Sequence, residues 1–276
     1  MTTAVRVLGA FGAAVDGAPV DLGGPRRRSV LARLVAAHGR MVPAERLVEE
    51  LWAGTAPPRA AAGLQSFVSH LRRALEPGRP PRTPAQVLVT EAPGYALRLP
   101  GGDVDAWRFD ALIDEAAALL DAGDPSGARR RAEAALAEWR GPAYAEFADL
   151  PWAAAEAARL DERRRLAVER RADAMLRLGA AAGAVPDLET HAAANPLREE
   201  AWRLLALALY RTGRQGDALA ALRRARTVLT EELGVDPGPA LRRLEVGILA
   251  QSPDLAHPEP PAGTRPILRL APEPLS

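Results

Sequence analysis

The stretch from Leu64 to Leu75, LQSFVSHLRRAL, decides how the rest of the chain is read. Leu64, Phe67, Val68, Leu71 and Leu75 recur at i, i+3, i+4, i+7 and i+11, the spacing that stacks side chains along one face of a helix. With Leu64 at 0° and a step of about 100° per residue, these side chains fall between about 300° and about 40°. Arg59, Ser66, Ser69, His70 and Arg73 fall at about 140° to about 240°, directly opposite, with Gln65 and Arg72 on the flanks. The polar face is rich in hydrogen-bond donors and contains no carboxylate.

Composition bounds what such a face serves. The 276 residues are 48% apolar, enough for one or two packed domains. Cysteine is absent, which excludes disulfides, thiolate metal sites and thiol nucleophiles. All 36 basic residues are arginine, so a lysine-dependent phosphate loop is excluded as well. The net charge of +1 hides an asymmetry: residues 1–100 hold 13 arginines against 7 acids, whereas the remainder has an acidic excess of five. An anionic partner is expected for the basic end. The start MTTAVRVLGAFGAAVDG has neither a basic leader nor a long apolar core, and no run approaches a membrane span. A cytoplasmic protein is expected.

Residues 1–100 read as one organised region. VRVLGAFGAAVDGAPVDLGG alternates short apolar pieces with glycine, and its Asp16-Gly17 pair predicts a tight hairpin turn between short strands. From Arg26 the period changes, and Val30, Leu31, Leu34 and Val35 predict a first helix ended by Gly39. In PAERLVEELWAG, Pro43 suits a first helical turn, and Leu47, Val48, Leu51 and Trp52 form the apolar stripe of a second helix closed by Gly54. LQSFVSHLRRAL follows as the third. VLVTEAPGYALRL then gives two apolar runs around Pro93-Gly94, a hairpin.

Two short amphipathic helices before a donor-faced third form a helix-turn-helix, whose last helix lies in the DNA major groove, and the terminal hairpin is its wing. Arginine binds guanine bidentately, and serine and histidine hydrogen-bond bases or phosphates. For an isolated helix a polar face is simply solvated; the three-helix context and the basic excess favour DNA contact.

LGGPRRRSVLARLVAAHGRMVPAERLVEELWAG, LQSFVSHLRRAL and VTEAPGYALRL resemble, in order and spacing, the OmpR-type winged helix that opens the SARP family, the Streptomyces antibiotic regulatory proteins. The resemblance implies a sequence-specific transcription activator of a secondary-metabolite gene cluster. Such an activator binds promoter direct repeats as a homodimer and recruits RNA polymerase, including its sigma factor. Carried over by position, Arg59, Gln65, Ser66, Ser69, His70, Arg72 and Arg73 face the groove or its phosphates, and Arg26 and Arg28 contact the backbone. The wing departs from the family, with Glu91 where arginine is frequent, and leaves Arg98 as its arginine. Gly63 costs the third helix about 1 kcal/mol relative to alanine and marks either fraying or close approach to DNA.

From Asp103 to Gln251 the pattern is helical almost throughout, with Gly or Pro punctuating the runs. Trp202, Leu205, Ala206, Leu209, Ala218, Leu222 and Ala225 occupy the signature positions of a tetratricopeptide unit. Gly179 and Gly213 are one such repeat apart, and the same shift superposes Ala184 on Ala218 and Leu188 on Leu222. A weaker unit with Gly123, Ala128 and Ala135 comes earlier, separated by an insertion in RGPAYAEFADLPWAAAEAARL. WRGPAYAEF, AARLDERR, NPLREEAWRLLALALYRTGRQGDALAALRRA and ELGVDPGPALRRLE resemble the bacterial transcriptional activation domain that follows the winged helix in the same family.

The expected fold is therefore mainly α with a small β component: a winged helix-turn-helix over 1–100, then a tetratricopeptide-like all-helical domain over 101–251. The proline-rich tail, 252–276, is expected to be disordered or an extended tether. Trp107, Trp139, Trp152 and Trp202 are expected in cores, and the arginine runs 129–131 and 163–165 solvated or paired with acids. No catalytic site, metal or cofactor is expected. His38, His70, His191 and His257 lack ligand spacing, no Gly-x-Ser-x-Gly elbow occurs, and carboxylate pairs such as Glu49-Glu50 point to different helix azimuths. The alternative to a DNA reader is a helical-repeat interaction scaffold whose winged helix binds a protein, or DNA without specificity.

Overall fold

The computed structural model describes residues 2–52 and 54–256. The chain opens with an antiparallel sheet of β1 (Thr3–Arg6), β2 (Gly12–Val15) and β3 (Ala18–Pro19). Asp16 and Gly17, at φ 47° and 81°, make the two-residue left-handed turn between β2 and β3 that the Asp-Gly pair predicts. Helix α1 (Pro25–Ala36) starts with proline in its first turn, and His38 and Gly39 follow its end at φ 50° and 76°. After β4 (Val42–Pro43) come α2 (Ala44–Trp52), α3 (Ala60–Leu75) and the hairpin of β5 (Leu88–Glu91) and β6 (Gly94–Leu97).

The order of strands, three helices and hairpin is as the periodicities predict, with one correction at Pro43. It pairs with Gly94 in β4, and α2 begins one residue later. A two-residue strand has no period to read. Its closeness to the wing also explains Gly94, since a Cβ there would lie 1.9 Å from the Val42 carbonyl oxygen. Val30, Leu31, Leu34 and Val35 of α1, Leu47 of α2, Leu64, Val68, Leu71 and Leu75 of α3, and Leu88 and Leu97 of the hairpin are all buried in one core.

The remaining helices are α4 (Asp105–Asp121), α5 (Pro125–Ala137), α6 (Pro151–Arg177), α7 (Ala181–Ala194), α8 (Glu199–Arg211), α9 (Gln215–Leu233) and α10 (Pro239–Leu249). The chain forms two compact units: residues up to 122 with 130–170, and residues 123–129 with those from 171 onward. No division falls at residue 100, because the segment after β1 is held from both sides by later residues. Val5 bridges to Val104, and the buried Asp105 carboxylate accepts hydrogen bonds from the N–H groups of Val7 (2.9 Å), Leu8 (3.1 Å) and Ala106 (2.8 Å). On the other side, Arg140 and Tyr144 donate their N–H groups to Leu8 and Val7 at 2.9 Å each. Gly9 permits this approach, because a Cβ on it would lie 3.2 Å from the backbone of Arg140 and Gly141. Phe11 packs edge-on against Phe147, with ring centroids 5.0 Å apart. The insertion predicted in RGPAYAEF thus supplies the second wall of the N-terminal segment.

The tryptophans in this unit pack as expected. Trp107 donates its indole N–H to Val35 and stacks on His38, Trp139 meets Phe109 edge-on, and Trp152 packs against Tyr144 and Phe147. Arg163 pairs with Asp110 and Asp114, Arg164 lies over Trp139, Arg165 pairs with Glu162 and Arg131 with Glu115. These arginine runs brace helices.

In the second unit α8 is buried on nearly every side, from Ala201 to Leu209, and packs between α7 and α9. Gly179 and Gly213 close α6 and α8 with φ 74° and 77°, the conformation only glycine adopts freely. Ala184 and Leu188 on α7, like Ala218 and Leu222 on α9, are buried, so the 34-residue shift superposes equivalent core positions. Trp202 is buried and donates to Pro196, and Glu199 accepts the Gly238 N–H at the start of α10. Beyond it, Pro253–Leu255 make a turn of 3-10 helix. The rest of the expected tail, including His257, lies outside the described residues.

A fragment ending at residue 100 loses both walls around Val7 and Leu8. It is expected to lack the cooperative thermal transition that a fragment of residues 1–178 retains in circular dichroism; equal transitions would contradict the shared core. Glu156 gives a second test. Burial alone would raise its pKa, but hydrogen bonds from His38 and Arg159 outweigh that and lower it. Stability from a depressed carboxylate is present above the unfolded value, about 4.3, and is lost as pH falls through the lower folded value. Glu156→Gln should therefore flatten the acid limb of a stability-versus-pH curve.

Candidate nucleic-acid interface

Helix α3 presents its apolar side to α1, α2 and the hairpin, and its centre opposite that side is open. Gln65, Ser66, Ser69 and Arg73 are exposed, as is Arg59 just before the first turn. The two flanks are occupied. Arg72, half-buried, donates Nε to the Leu88 carbonyl at 2.8 Å and Nη2 to Thr90 at 2.7 Å, and lies over the Tyr95 ring. Burial pushes its pKa below the ordinary arginine value. It ties the wing to α3. On the other flank His70 turns toward the loop before α1, with Nε2 3.3 Å from the Asp21 carbonyl and Nδ1 3.5 Å from Arg27. Gly63 lies over Trp52, where a Cβ would meet the indole at an ordinary 3.7 Å, and Trp52 stacks on Phe67.

Three consecutive arginines on a helix point three ways, because each step turns about 100°. Arg26 is exposed and lies over Trp52 at 5.5 Å. Arg28 makes a two-pronged ion pair with Glu146, at 2.6 and 2.5 Å, donates to the Phe11 carbonyl, and has its pKa raised by the Glu146 hydrogen bond. Arg27, between them, reaches His70. Arg98 in the wing pairs with Glu91 and donates to the Gly39 carbonyl, so the unusual Glu91 has its partner within the hairpin. Arg59, Gln65, Ser66, Ser69 and Arg73 thus form one open face, whereas His70, Arg72, Arg28 and Arg98 are engaged within the chain.

Among the described residues no group of histidines and carboxylates has metal-site geometry, and no helix is long and apolar enough to cross a membrane. An open groove of about 470 Å³ runs between α2 and α3, lined by Val48, Leu64, Gln65 and Tyr95.

Residues 17–97 match the family model described as "Transcriptional regulatory protein, C terminal", and 104–249 the "Bacterial transcriptional activator domain". The chain is 34% identical to Regulatory protein DnrI of Streptomyces peucetius, covering 94% of this chain and 97% of that one. It is 40% identical to Transcriptional regulator RedD of Streptomyces coelicolor, over 84% of this chain and 66% of that one.

The chain belongs to the SARP family.

Transcriptional regulatory protein EmbR of Mycobacterium tuberculosis is 38% identical over 90% of the chain, which spans 63% of that protein. The solved structure of Mycobacterium tuberculosis EmbR in complex with a low-affinity phosphopeptide has a TM-score of 0.85, at 38% identity, covering 91% of this chain and 66% of that one. The chain thus spans under two thirds of EmbR, and 24% of Regulatory protein AfsR of Streptomyces coelicolor, to which it is 40% identical over 91% of its own length. The winged helix precedes the helical activator domain, and these relatives are regulatory proteins.

Sequence pattern missed Arg27, Thr90, Asp105 and Glu146, which set the geometry around α3. The run of three arginines was the available signal for Arg27; the partners of the others are distant in sequence. Arg72→Ala should release the wing and cost about 1–2 kcal/mol in thermal unfolding, since it removes two bonds from a charged donor. An unchanged melting temperature would show that the wing is held otherwise.

Proposed function

We infer that this SARP-family regulator is a transcription activator that reads promoter direct repeats as a homodimer. Residues 1–100 bind DNA, with α3 in the major groove, and the helical region over 101–251 joins protomers and recruits RNA polymerase through contacts that include its sigma factor. The observation that carries the reading is the open, carboxylate-free face of α3, with Arg59, Gln65, Ser66, Ser69 and Arg73 accessible together. Arginine and glutamine are side chains that read guanine and adenine edges bidentately, and the serines suit either bases or phosphates. Arg26 borders this face as a backbone contact, and the wing's Arg98 would have to exchange Glu91 for a phosphate to join it. His70 and Arg72 flank this face, each held by its own partner, and Arg28 is committed to Glu146. The regulated genes are those of a secondary-metabolite cluster, and the protein works in the cytoplasm on the nucleoid.

Selection from a random duplex library by the full chain, repeated at several salt concentrations, tests this reading. A promoter reader enriches a repeated motif, whereas a counterion-driven binder loses affinity steeply with salt and enriches nothing. Enrichment of no motif would favour a scaffold whose winged helix docks elsewhere. Arg73→Ala should cost about 1–3 kcal/mol, or about 5- to 150-fold, on the enriched duplex and relax preference at one base position. Unaltered affinity and preference would remove α3 from the groove.

A further inference from the structure

We propose that Arg27 is a contact to the DNA phosphate backbone and that His70 is a positioning residue that holds it at the edge of the α3 face. The proposal rests on the DNA-binding reading above and adds to it a residue outside α3 and a changed role for a residue within it. Arg27 Nη1 stands 3.5 Å from His70 Nδ1. A guanidinium carries donors only, so in this contact the ring nitrogen accepts, which goes with the tautomer whose N–H is at Nε2. That proton points to the Asp21 carbonyl, 3.3 Å away. His70 is thereby used up on both ring nitrogens by its own chain.

The loop is built to let the pair close. Gly23 has φ +77°, and a Cβ there would lie 2.7 Å from Arg27 Nη1, 2.8 Å from its Cδ and 3.2 Å from His70 Nε2. Asp21, the nearest acid in the loop, accepts the Gly23 N–H with Oδ1 at 2.8 Å. Among the described residues Arg27 has no carboxylate in an ion pair, while Arg28 is committed to Glu146. Arg27 has donors left over beyond its contact with His70 on α3, and that ring fixes the direction of its fork. A cation with unsatisfied donors at the rim of a major-groove helix suits a phosphate, whose oxygens accept from a fork of N–H groups.

Fluorescence anisotropy with the duplex enriched by the full chain, between about 50 and about 200 mM salt, tests this. Removing one phosphate contact makes the slope of log affinity against log salt shallower by about 0.9. Arg27→Ala and Arg27→Gln are expected to show that change and to weaken binding evenly across duplex sequences. Arg131→Ala, which removes a charge from α5, should keep the wild-type slope. His70→Ala should show part of the Arg27 effect and add nothing when combined with Arg27→Ala. His70→Asn, which keeps an acceptor near the Nδ1 position, should restore most of it. A wild-type slope in both Arg27 variants overturns the phosphate contact. Additive losses in the double variant, or a changed base preference in His70→Ala, overturn the positioning role. Absence of any duplex binding by the wild-type chain instead overturns the DNA-binding reading, and the proposal with it.

Discussion

The carboxylate of Asp105 is the constraint on which the first compact unit depends. A buried carboxylate is costly unless its oxygens are hydrogen-bonded, and here three backbone N–H groups, those of Val7, Leu8 and Ala106, converge on it. Burial still pushes its pKa above the ordinary value, with the three bonds and Arg140 pulling the other way. The dependence is mutual. Without the carboxylate, those dry donors would each cost about 1–3 kcal/mol, and the segment after β1 would lose its fixed place against α4. Because Val5 in β1 and Val7, Leu8 and Phe11 after it are all buried, the winged helix shares one hydrophobic core with the start of the activator region.

This shared core bears on how the open face of α3 is kept rigid. Helix α3 touches the wing through Arg72 and the loop before α1 through His70, and α1 is fastened to later residues by Arg28 to Glu146 and by Trp107 to Val35. His38, Glu156, Arg159 and Asp110 extend the fastening at the far end of α1. The open residues of α3 therefore stand on a frame braced on both flanks. Preorganisation of this kind lowers the ordering cost that binding would otherwise carry.

Much of this was legible in sequence, for reasons that also mark where legibility ends. Local periodicity placed α1, α2, α3 and the hairpin, because Val30, Leu34, Leu64 and Leu71 each report their own element's buried face. The 34-residue shift between Gly179 and Gly213 identified equivalent helix ends, because a left-handed helix stop is a backbone need that glycine meets. The helical wheel of α3 gave azimuths and not engagement: Gln65 on a flank is open, whereas His70, set opposite the apolar face, and Arg72 on the flank are engaged within the chain. It had no means to name what engages them, since Thr90 and Asp21 are distant in sequence. Nor did composition reveal that RGPAYAEF would wall the N-terminal segment, an arrangement made of backbone bonds to Arg140 and Tyr144 that leave no side-chain signature.

The arginine-only composition sharpens the same point for electrostatics. A net charge of +6 over residues 1–100 suggests a broadly attractive surface, yet Arg28, Arg33, Arg46, Arg79 and Arg98 are all paired with carboxylates. Arg72 is spent on the wing and Arg26 lies over an indole. An arginine fork is as well suited to a backbone carbonyl or a carboxylate within the fold as to a phosphate outside it, so a count of arginines overstates what a polyanion meets. Among the described residues, the exposed or rim arginines near α3 without a carboxylate are few and localised, comprising Arg26, Arg27, Arg59 and Arg73. On the proposed reading, a surface of that kind directs a duplex to one side of the unit and leaves discrimination to the few side chains of α3 at its centre, among them Ser66 and Ser69.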